Sequence, residues 1–384
     1  MGLKITRVET LCLSRKHEPE REWFTTTMRI VKADCTIVII HTDGGIIGIG
    51  EACSYGVPDQ IRAQVTRLTP LLIGRDPLDL GTTLSPNGRA WSYDCAVSGI
   101  DCALWDIRGK AAGKRVSELL SDNPLERIEL YASAGCSYDW RDRPEQLIEE
   151  AVRCMEQGFK TFKFRLGTHW AWDSINVDRM LGLIRELSSE VGGRMALALD
   201  GNQRLNEEDA LAIGRGLDEI GGFAWFEEPF DMRNVAGYAR LNSQLNVPVT
   251  GGEQYTTMEQ FLPYLEQGAY AIVQQDAGIC GITEGLRIAK LAYHHGVPTI
   301  PHNWHNGLMT LANAHMVAAL PKPIMLELCM IQGPLQWGIL KEQPVIHNGY
   351  LELPSAPGLG AEIAEGLLEQ YPYMETDYYV TVDR

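Results

Sequence analysis

The spacing of apolar positions changes about a third of the way along the chain. Residues 3 to 13 and 29 to 41 alternate or run apolar with the period of a strand, and the second run, Ile30-Val-Lys-Ala-Asp-Cys-Thr-Ile-Val-Ile-Ile, ends at the turn Asp43-Gly-Gly. That predicts an opening β-meander. Helical spacing follows over Val97 to Leu120, where Ile100, Ala103, Leu104, Ile107 and Ala111 fall on one face. From Ile128 a short apolar run and an amphipathic stretch alternate: 128–133, 160–166, 195–200, 223–228, 247–252, 270–275, 297–302 and 324–328. Near-continuous apolar runs separated by amphipathic helices are what a parallel sheet covered on both faces requires. The pattern predicts an N-terminal domain over 1–127 and a barrel of parallel strands over 128–345. It also predicts a C-terminal segment over 346–384, containing Pro354-Ser-Ala-Pro-Gly-Leu-Gly360, that returns to the first domain. A length of 384 residues suits a barrel of about 250 residues with a second domain packed against it.

Charge and cysteine usage narrow the function class. The formal net charge is −16 with both signs dispersed and no basic run, which argues against nucleic acid as a partner and requires a local positive patch for any anionic substrate. Nine cysteines, odd in number and without a C-x-x-C, read as free buried thiols of a reducing compartment, hence a cytoplasmic protein. No apolar run approaches the roughly 18 residues of a membrane helix. Gly2 and Thr6 satisfy a myristoylation pattern, but Ile5, Val8 and Leu11 continue an ordinary strand and no polybasic signal follows.

The chemistry lies at the ends of the repeated strands. Asp200 follows Met195-Ala-Leu-Ala-Leu, Glu227 follows Phe223-Ala-Trp-Phe, and Glu253 follows Val247-Pro-Val-Thr-Gly-Gly. Side chains recurring at one strand-plus-helix interval meet at one mouth of a barrel. Three carboxylates meeting there repel unless a hard divalent cation neutralises them, and ligation by oxygen alone points to Mg²⁺ rather than Zn²⁺. Lys163 and Arg165, two apart on the second strand, point to the same interior side, as a cationic pair for an anion or as partners of the carboxylates. Asp276 and His302 end the sixth and seventh strands at one level, the arrangement of a general base oriented by a carboxylate. Glu327 ends the eighth; it either pairs with the cations, donates to a developing oxyanion, or holds the His302 side of the pocket. Asn202 is placed to support the metal or a substrate oxygen. Trp304, Trp170 and Trp172 pack beneath a cap or touch substrate, and His305 is a substrate contact or a support rather than a second base.

Ala96-Val-Ser-Gly-Ile-Asp-Cys-Ala-Leu-Trp-Asp-Ile-Arg-Gly-Lys110, Lys163-Phe-Arg165, Asp200-Gly-Asn202, Phe226-Glu-Glu-Pro229, Gly251-Gly-Glu253, Asp276, His302 and Glu327, in that order, resemble the mandelate racemase subgroup of the enolase superfamily over essentially the whole chain. The resemblance implies a modified (β/α)₇β barrel with an α+β capping domain built from both termini. It implies Mg²⁺ at Asp200, Glu227 and Glu253, a small carboxylate substrate, removal of the proton α to that carboxylate to give an enediolate, and a homo-oligomer. It also implies that specificity comes from two cap loops, here within Ser14 to Met28 and Glu51 to Gln60, where Arg21, Trp23 and Thr25 to Thr27 are candidate contacts. Glu20 and Glu22 flank Arg21 and can satisfy its charge locally.

The departure from the pattern is Arg165, where such proteins commonly carry a second lysine that serves as a base. Arginine stays protonated to about pH 12 and accepts protons poorly. One competent base, His302 with Asp276, favours dehydration of an acid sugar to a 2-keto-3-deoxy acid. An epimerase using Lys163, or a lactone cycloisomerase, is the alternative, and a non-catalytic acid-binding protein a more distant one that the intact Asp276 and His302 pair speaks against. A zinc amidohydrolase is excluded for want of its H-x-H strand motif.

Overall fold

The computed structural model describes residues 2–25, 28–79, 84–166, 177–321, 324–331 and 333–381. Trp170, Trp172, Thr26 and Thr27, named above, lie outside these residues. The chain opens with β1 (Ile5–Lys16), a 3₁₀ turn (Pro19–Arg21), β2 (Trp23–Thr25), β3 (Met28–Ile30), β4 (Lys32–Thr42) and β5 (Ile47–Ala52). Antiparallel pairing in the order β1-β4-β5 makes the expected meander. The run expected as one strand over 29–41 is two, because the backbone of Val31 pairs elsewhere: its N–H donates to Tyr378 O and its carbonyl accepts from His17 N. β3 is thereby released to pair with β2 in a separate small sheet.

Helices α1 (Pro58–Leu72), α2 (Trp91–Ala112) and α3 (Val116–Leu120) complete the first domain. The helix expected through Leu120 stops at Gly113, whose φ of 63° provides a left-handed cap for the carbonyls of Gly109 and Lys110. α2 lies so close on β5 that a Cβ at Gly50 would stand 2.2 Å from Gly99 O. Val38, Ile40, Ile61, Val65, Ile100 and Ile107 form the core between this sheet and its helices.

The barrel follows: β6 (Arg127–Ser133), α4 (Gln146–Glu156), β7 (Thr161–Arg165), α5 (Val177–Val191), β8 (Ala196–Asp200), α6 (Glu207–Ile220), β9 (Phe223–Glu227), α7 (Val235–Gln244), β10 (Val249–Gly251), α8 (Met258–Glu266), β11 (Ile272–Val273), α9 (Ala277–His294), α10 (Gly307–Ala318) and β12 (Leu326–Cys329). Parallel pairing runs from β11 through β10, β9, β8 and β7 to β6, and β12 returns to β6. The strand expected over 297–302 is reduced to a single parallel bridge between Val273 and Thr299. Pro298 and Pro301 flank that bridge and have no N–H to extend a ladder. Tyr131, Ala198, Trp225, Ile272 and Ile300 fill the barrel interior beneath the mouth, with the rings of Tyr131 and Trp225 edge to face at 5.0 Å.

After α11 (Pro334–Gly338), β13 (Ile346–His347) and β14 (Tyr350–Glu352) form a hairpin whose second strand pairs antiparallel with β6. Its turn, Asn348-Gly349, has both φ values positive, at 49° and 73°, as a two-residue type I′ hairpin demands. The segment expected to leave the barrel at 346 therefore stays with it through Glu352. It then crosses to the first domain, where Leu359 N donates to Asp106 Oδ1 and Val116 N to Gly358 O. After α12 (Leu367–Gln370), β15 (Tyr379–Thr381) adds to β3 and completes a three-stranded flap in the order β15-β3-β2. Among the described residues no helix is long and apolar enough to cross a membrane.

Candidate active site

Period-two alternation decides what enters the barrel. On β7 the rings of Phe162 and Phe164 stack at 6.2 Å on one side, which sends Lys163 and Arg165 to the other. Ala198 with Asp200, and Trp225 with Glu227, take the interior side of β8 and β9 in the same way, while Glu253 follows β10. Carboxylate oxygens of Asp200, Glu227 and Glu253 lie within 4.8 Å of one another. Lys163 Nζ stands 2.6 Å from Glu227 Oε1, 2.9 Å from Glu327 Oε1 and 3.9 Å from Asp200 Oδ2. Glu227 Oε2 accepts from Trp225 Nε1 at 2.9 Å and Gln274 Nε2 at 2.8 Å. Asp200 accepts from the backbone and side-chain nitrogens of Asn202 at 2.8 and 2.9 Å.

Positive charge is in short supply there. Burial is the largest cause and raises the pKa values of Asp200, Glu227 and Glu253; Lys163 pulls Asp200 and Glu227 back, and His302 pulls Glu253 back, without cancelling the rise. Lys163 itself is pushed down by burial, but Glu227 and Glu327 outweigh this and hold it firmly as an ammonium. Glu327 is the exception among the acids: burial would raise it, yet Lys163 and His302 bring it down to about 2. Glu327 is thus held toward the carboxylate form, paired with Lys163 at 2.9 Å and standing 3.8 Å from His302 Nε2. Buried oxygen donors with too few cations are the chemistry that a hard divalent metal satisfies.

Asp276 caps α9, with Oδ1 accepting from Gly278 N at 2.7 Å. Oδ2 lies 2.6 Å from His302 Nδ1. The other ring nitrogen of His302, Nε2, is 3.5 Å from Glu253 Oε2 and 3.8 Å from Glu327 Oε2. Burial lowers the affinity of His302 for a proton, but Glu253, Glu327 and Asp276 together raise its pKa to about 10. Asp276 shows the converse: burial raises it, while His305 and His302 carry it well below the usual carboxylate range.

These groups open onto a cavity of about 230 Å³ lined by Arg165, Asn202, Glu253 and His302 from the barrel and by Trp23, Thr25, Met28, Ile30 and Tyr55 from the first domain. Gln254, Trp304, Tyr378 and Tyr379 complete the lining. Arg165 Nη1 donates to Phe24 O at 3.0 Å, and its guanidinium carbon lies 5.1 Å from the Trp23 ring and 4.5 Å from the Trp304 ring. Two expected contacts are not among the lining residues. Arg21 is half exposed beside Glu18. His305 is buried behind Asp276, with Nε2 at 2.7 Å from the same Oδ2 that His302 uses. The sequence reading also missed Tyr55, Gln254, Tyr378 and Tyr379. Tyr55 falls within the expected second loop, but Tyr379 on β15 and Tyr378 just before it come from a segment with no local mark of function. Trp225 was findable, being two residues before Glu227 on the same strand face.

Comparison with known proteins agrees with this architecture. Residues 7–121 match the family Mandelate racemase / muconate lactonizing enzyme, N-terminal domain, and residues 146–367 match the family Enolase C-terminal domain-like. The chain is 33% identical over 342 residues to the arabinonate dehydratase of Saccharolobus solfataricus, covering 86% of this chain and 89% of that one. It is 31% identical over 387 residues to the D-galactarolactone cycloisomerase of Agrobacterium fabrum, covering 96% and 99%. Among solved structures, the 3,6-anhydro-D-galactonate cycloisomerase of Zobellia galactanivorans superposes with a TM-score of 0.82 at 28% identity, covering 96% of this chain and 99% of that one. The chain belongs to the enolase superfamily, in its mandelate racemase / muconate lactonizing enzyme group.

Proposed function

We propose that the protein dehydrates an acid sugar, an aldonate or aldarate, to a 2-keto-3-deoxy acid, with His302 as the single base and Mg²⁺ held by Asp200, Glu227 and Glu253. The observation that carries the reading is the His302 ring, tied through Nδ1 to Asp276 at 2.6 Å and lining the cavity. His302 Nε2 takes the proton α to the carboxylate. The same nitrogen then returns a proton to the β-hydroxyl, which departs as water and leaves the enol of the product. Mg²⁺ at the carboxylates would stabilise charge building on the substrate carboxylate and, by neutralising Glu253, relax the upward pull on His302. Arg165, whose buried Nε has no hydrogen-bond partner among the described residues and lies 3.7 Å from Asp200 Oδ2, faces the anion as a fixed cation. Lys163 stays an ammonium, and Asn202 steadies Asp200. The relatives named as acid-sugar dehydratases support the substrate class.

A lactone cycloisomerase is the second reading. It also needs one base, and of two relatives aligned over nearly the whole chain one is named a lactone cycloisomerase and the other a cycloisomerase of an anhydro acid sugar. The two are separated by proton NMR of the protein with Mg²⁺ in D₂O, offered a panel of mono- and diacid sugars and their lactones. New methylene signals with loss of the α-proton are expected from an open-chain acid; the same signals only from a lactone, whose ring oxygen leaves in place of water, move the assignment to the second reading, and inertness toward the whole panel overturns both. Nine free, buried cysteines support placement in a reducing compartment, the cytoplasm. Self-assembly belongs to the same proposal and is read by sedimentation.

A further inference from the structure

We propose that His305 is a positioning residue: it fixes the Asp276 carboxylate against the His302 ring and links that alignment to the seating of the first domain on the barrel. The proposal rests on the reading of His302 as the base.

Asp276 is surrounded by donors. Oδ2 meets His302 Nδ1 at 2.6 Å and His305 Nε2 at 2.7 Å, with the two rings at 90° to each other. Oδ1 accepts from Gly278 N at 2.7 Å and Asn313 Nδ2 at 3.0 Å. A carboxylate offers about four lone-pair directions, so these four bonds leave its plane no freedom to turn. Without His305 the carboxylate could pivot about its last torsion and carry the His302 ring with it.

The first domain grips the elements that hold His305. Its ring stacks on Tyr55 at 5.6 Å and 20°. The next residue, Asn306, donates from its backbone and side-chain nitrogens to Glu51 Oε1 at 3.3 and 2.9 Å, and Met309 N donates to Glu51 Oε2 at 2.9 Å. Glu51 is buried on β5. On the other flank, Gly278 O accepts from Cys53 N at 3.0 Å and Ser98 Oγ at 2.6 Å. Residues of β5, the turn after it, and α2 therefore converge on the two segments that orient Asp276.

Gly278 makes the arrangement possible and supplies a selective test. A Cβ there would stand 2.6 Å from His305 Nε2 and 2.9 Å from its Cδ2. Gly278 lies in α9 without a positive φ, so Gly278→Ala is admissible for the backbone; it keeps both histidines in the chain but displaces the His305 ring, with Met309 Cγ next nearest at 3.0 Å.

The experiment compares full-length wild type with His305→Phe, His305→Gln and Gly278→Ala, all with Mg²⁺. It reads the His302 imidazole N–H resonance in protein labelled with ¹⁵N-histidine, and kcat and KM on the acid sugar or lactone found in the D₂O screen. His305→Phe and Gly278→Ala are expected to shift the His302 resonance and lower kcat by roughly ten- to a hundredfold, with KM changed less than about threefold. His305→Gln, whose amide can donate to Oδ2, is expected to recover most of the loss. An unchanged resonance and kcat in His305→Phe would overturn the proposal, as would a loss confined to KM, which would make His305 a substrate contact. Should His305→Phe fail to fold, Gly278→Ala and His305→Gln decide the matter on the same readouts. His302→Asn separates the two levels: if it is inert while His305→Phe and Gly278→Ala turn over normally, only the positioning role falls; if it turns over normally, the base reading falls with it.

Discussion

The two walls of the barrel mouth use buried charge in opposite ways. On the β7 wall, Lys163 is held between Glu227 and Glu327 at 2.6 and 2.9 Å, and Arg165 lies against the rings of Trp23 and Trp304. Carboxylates surround the first and aromatic faces hold the second, so both remain cations. Beyond β6 and β12, the other wall presents a neutralisable ring, His302, whose back is tied to Asp276 and which lines the cavity. Burial and nearby carboxylates act on both walls; what differs is the group. An ammonium, intrinsically basic, is locked in its charge among carboxylates, whereas an imidazole of ordinary pKa about 6.5, tied through Nδ1 to Asp276, keeps at Nε2 a site able to gain and lose a proton once Glu253 is neutralised. On the proposed reading, one wall stabilises an anion and the other moves its proton.

The sharpest way to break this asymmetry is His302→Asn, which keeps the Asp276 side of the pocket filled but removes the proton acceptor. Turnover is expected to fall by about 10²- to 10⁴-fold, measured as loss of the substrate α-proton in D₂O; near-normal turnover would place the base on the other wall. Next in size is Lys163→Met. Lys163 is 1% exposed, and its loss leaves Glu227 and Glu327 buried without their cation, at a cost of about 3–5 kcal/mol in metal-free protein. Mg²⁺ should raise the melting temperature of the wild type by mass action and restore part of this loss, and Glu253→Gln should weaken the Mg²⁺ effect. A wild type indifferent to Mg²⁺ would count against the metal site.

A third test uses a histidine that lacks such a set of carboxylates. His315, on α10, is lowered to about 4, first by burial and then by Arg115. Its folded pKa lies below the ordinary 6.5, so the unfolded chain binds more protons between those values. Stability is therefore full above about pH 6.5 and declines as pH falls toward 4, by up to about 3 kcal/mol. Urea titrations across that range should show the decline in the wild type and a flatter profile in His315→Asn. The smallest effect is expected from Arg165→Lys. It keeps the charge but loses the planar contact with two indoles, worth about 0.5–2 kcal/mol, and should raise KM. It also introduces an amine able to accept a proton, so slow deuterium incorporation at the α-carbon without dehydration is the gain to look for. Its absence would mean that the choice of arginine does not by itself decide the one-base chemistry.

Legibility followed the range of the interactions. Asp200, Glu227 and Glu253 could be placed together because each ends a strand of the same repeated unit, and the geometry of that unit sets where strand ends meet. Lys163 and Arg165 could be put on one side because alternation is local. His305 could not be assigned in this way: it is three residues from His302, yet its partner, Asp276, is 29 positions away, and what seats it comes from β5 and Tyr55. The seventh strand was misjudged because its apolar pattern is genuine while its prolines limit the ladder. The break at Val31 has no local sign, since the acceptor that ends the strand is Tyr378 O.

From the sequence alone came the barrel, the first domain, the acidic triplet and the Asp276 and His302 pair, all properties of period and spacing along one dimension. The tertiary structure decided how charge is distributed among them: that Lys163 serves Glu227 and Glu327 together, that Glu327 is held toward the carboxylate form, that Asp276 is shared by two imidazoles, and that the C-terminal segment closes the cavity with Tyr378 and Tyr379. Those outcomes depend on distances of a few ångströms between residues far apart in the chain, and electrostatic energy in a buried site changes steeply over that range.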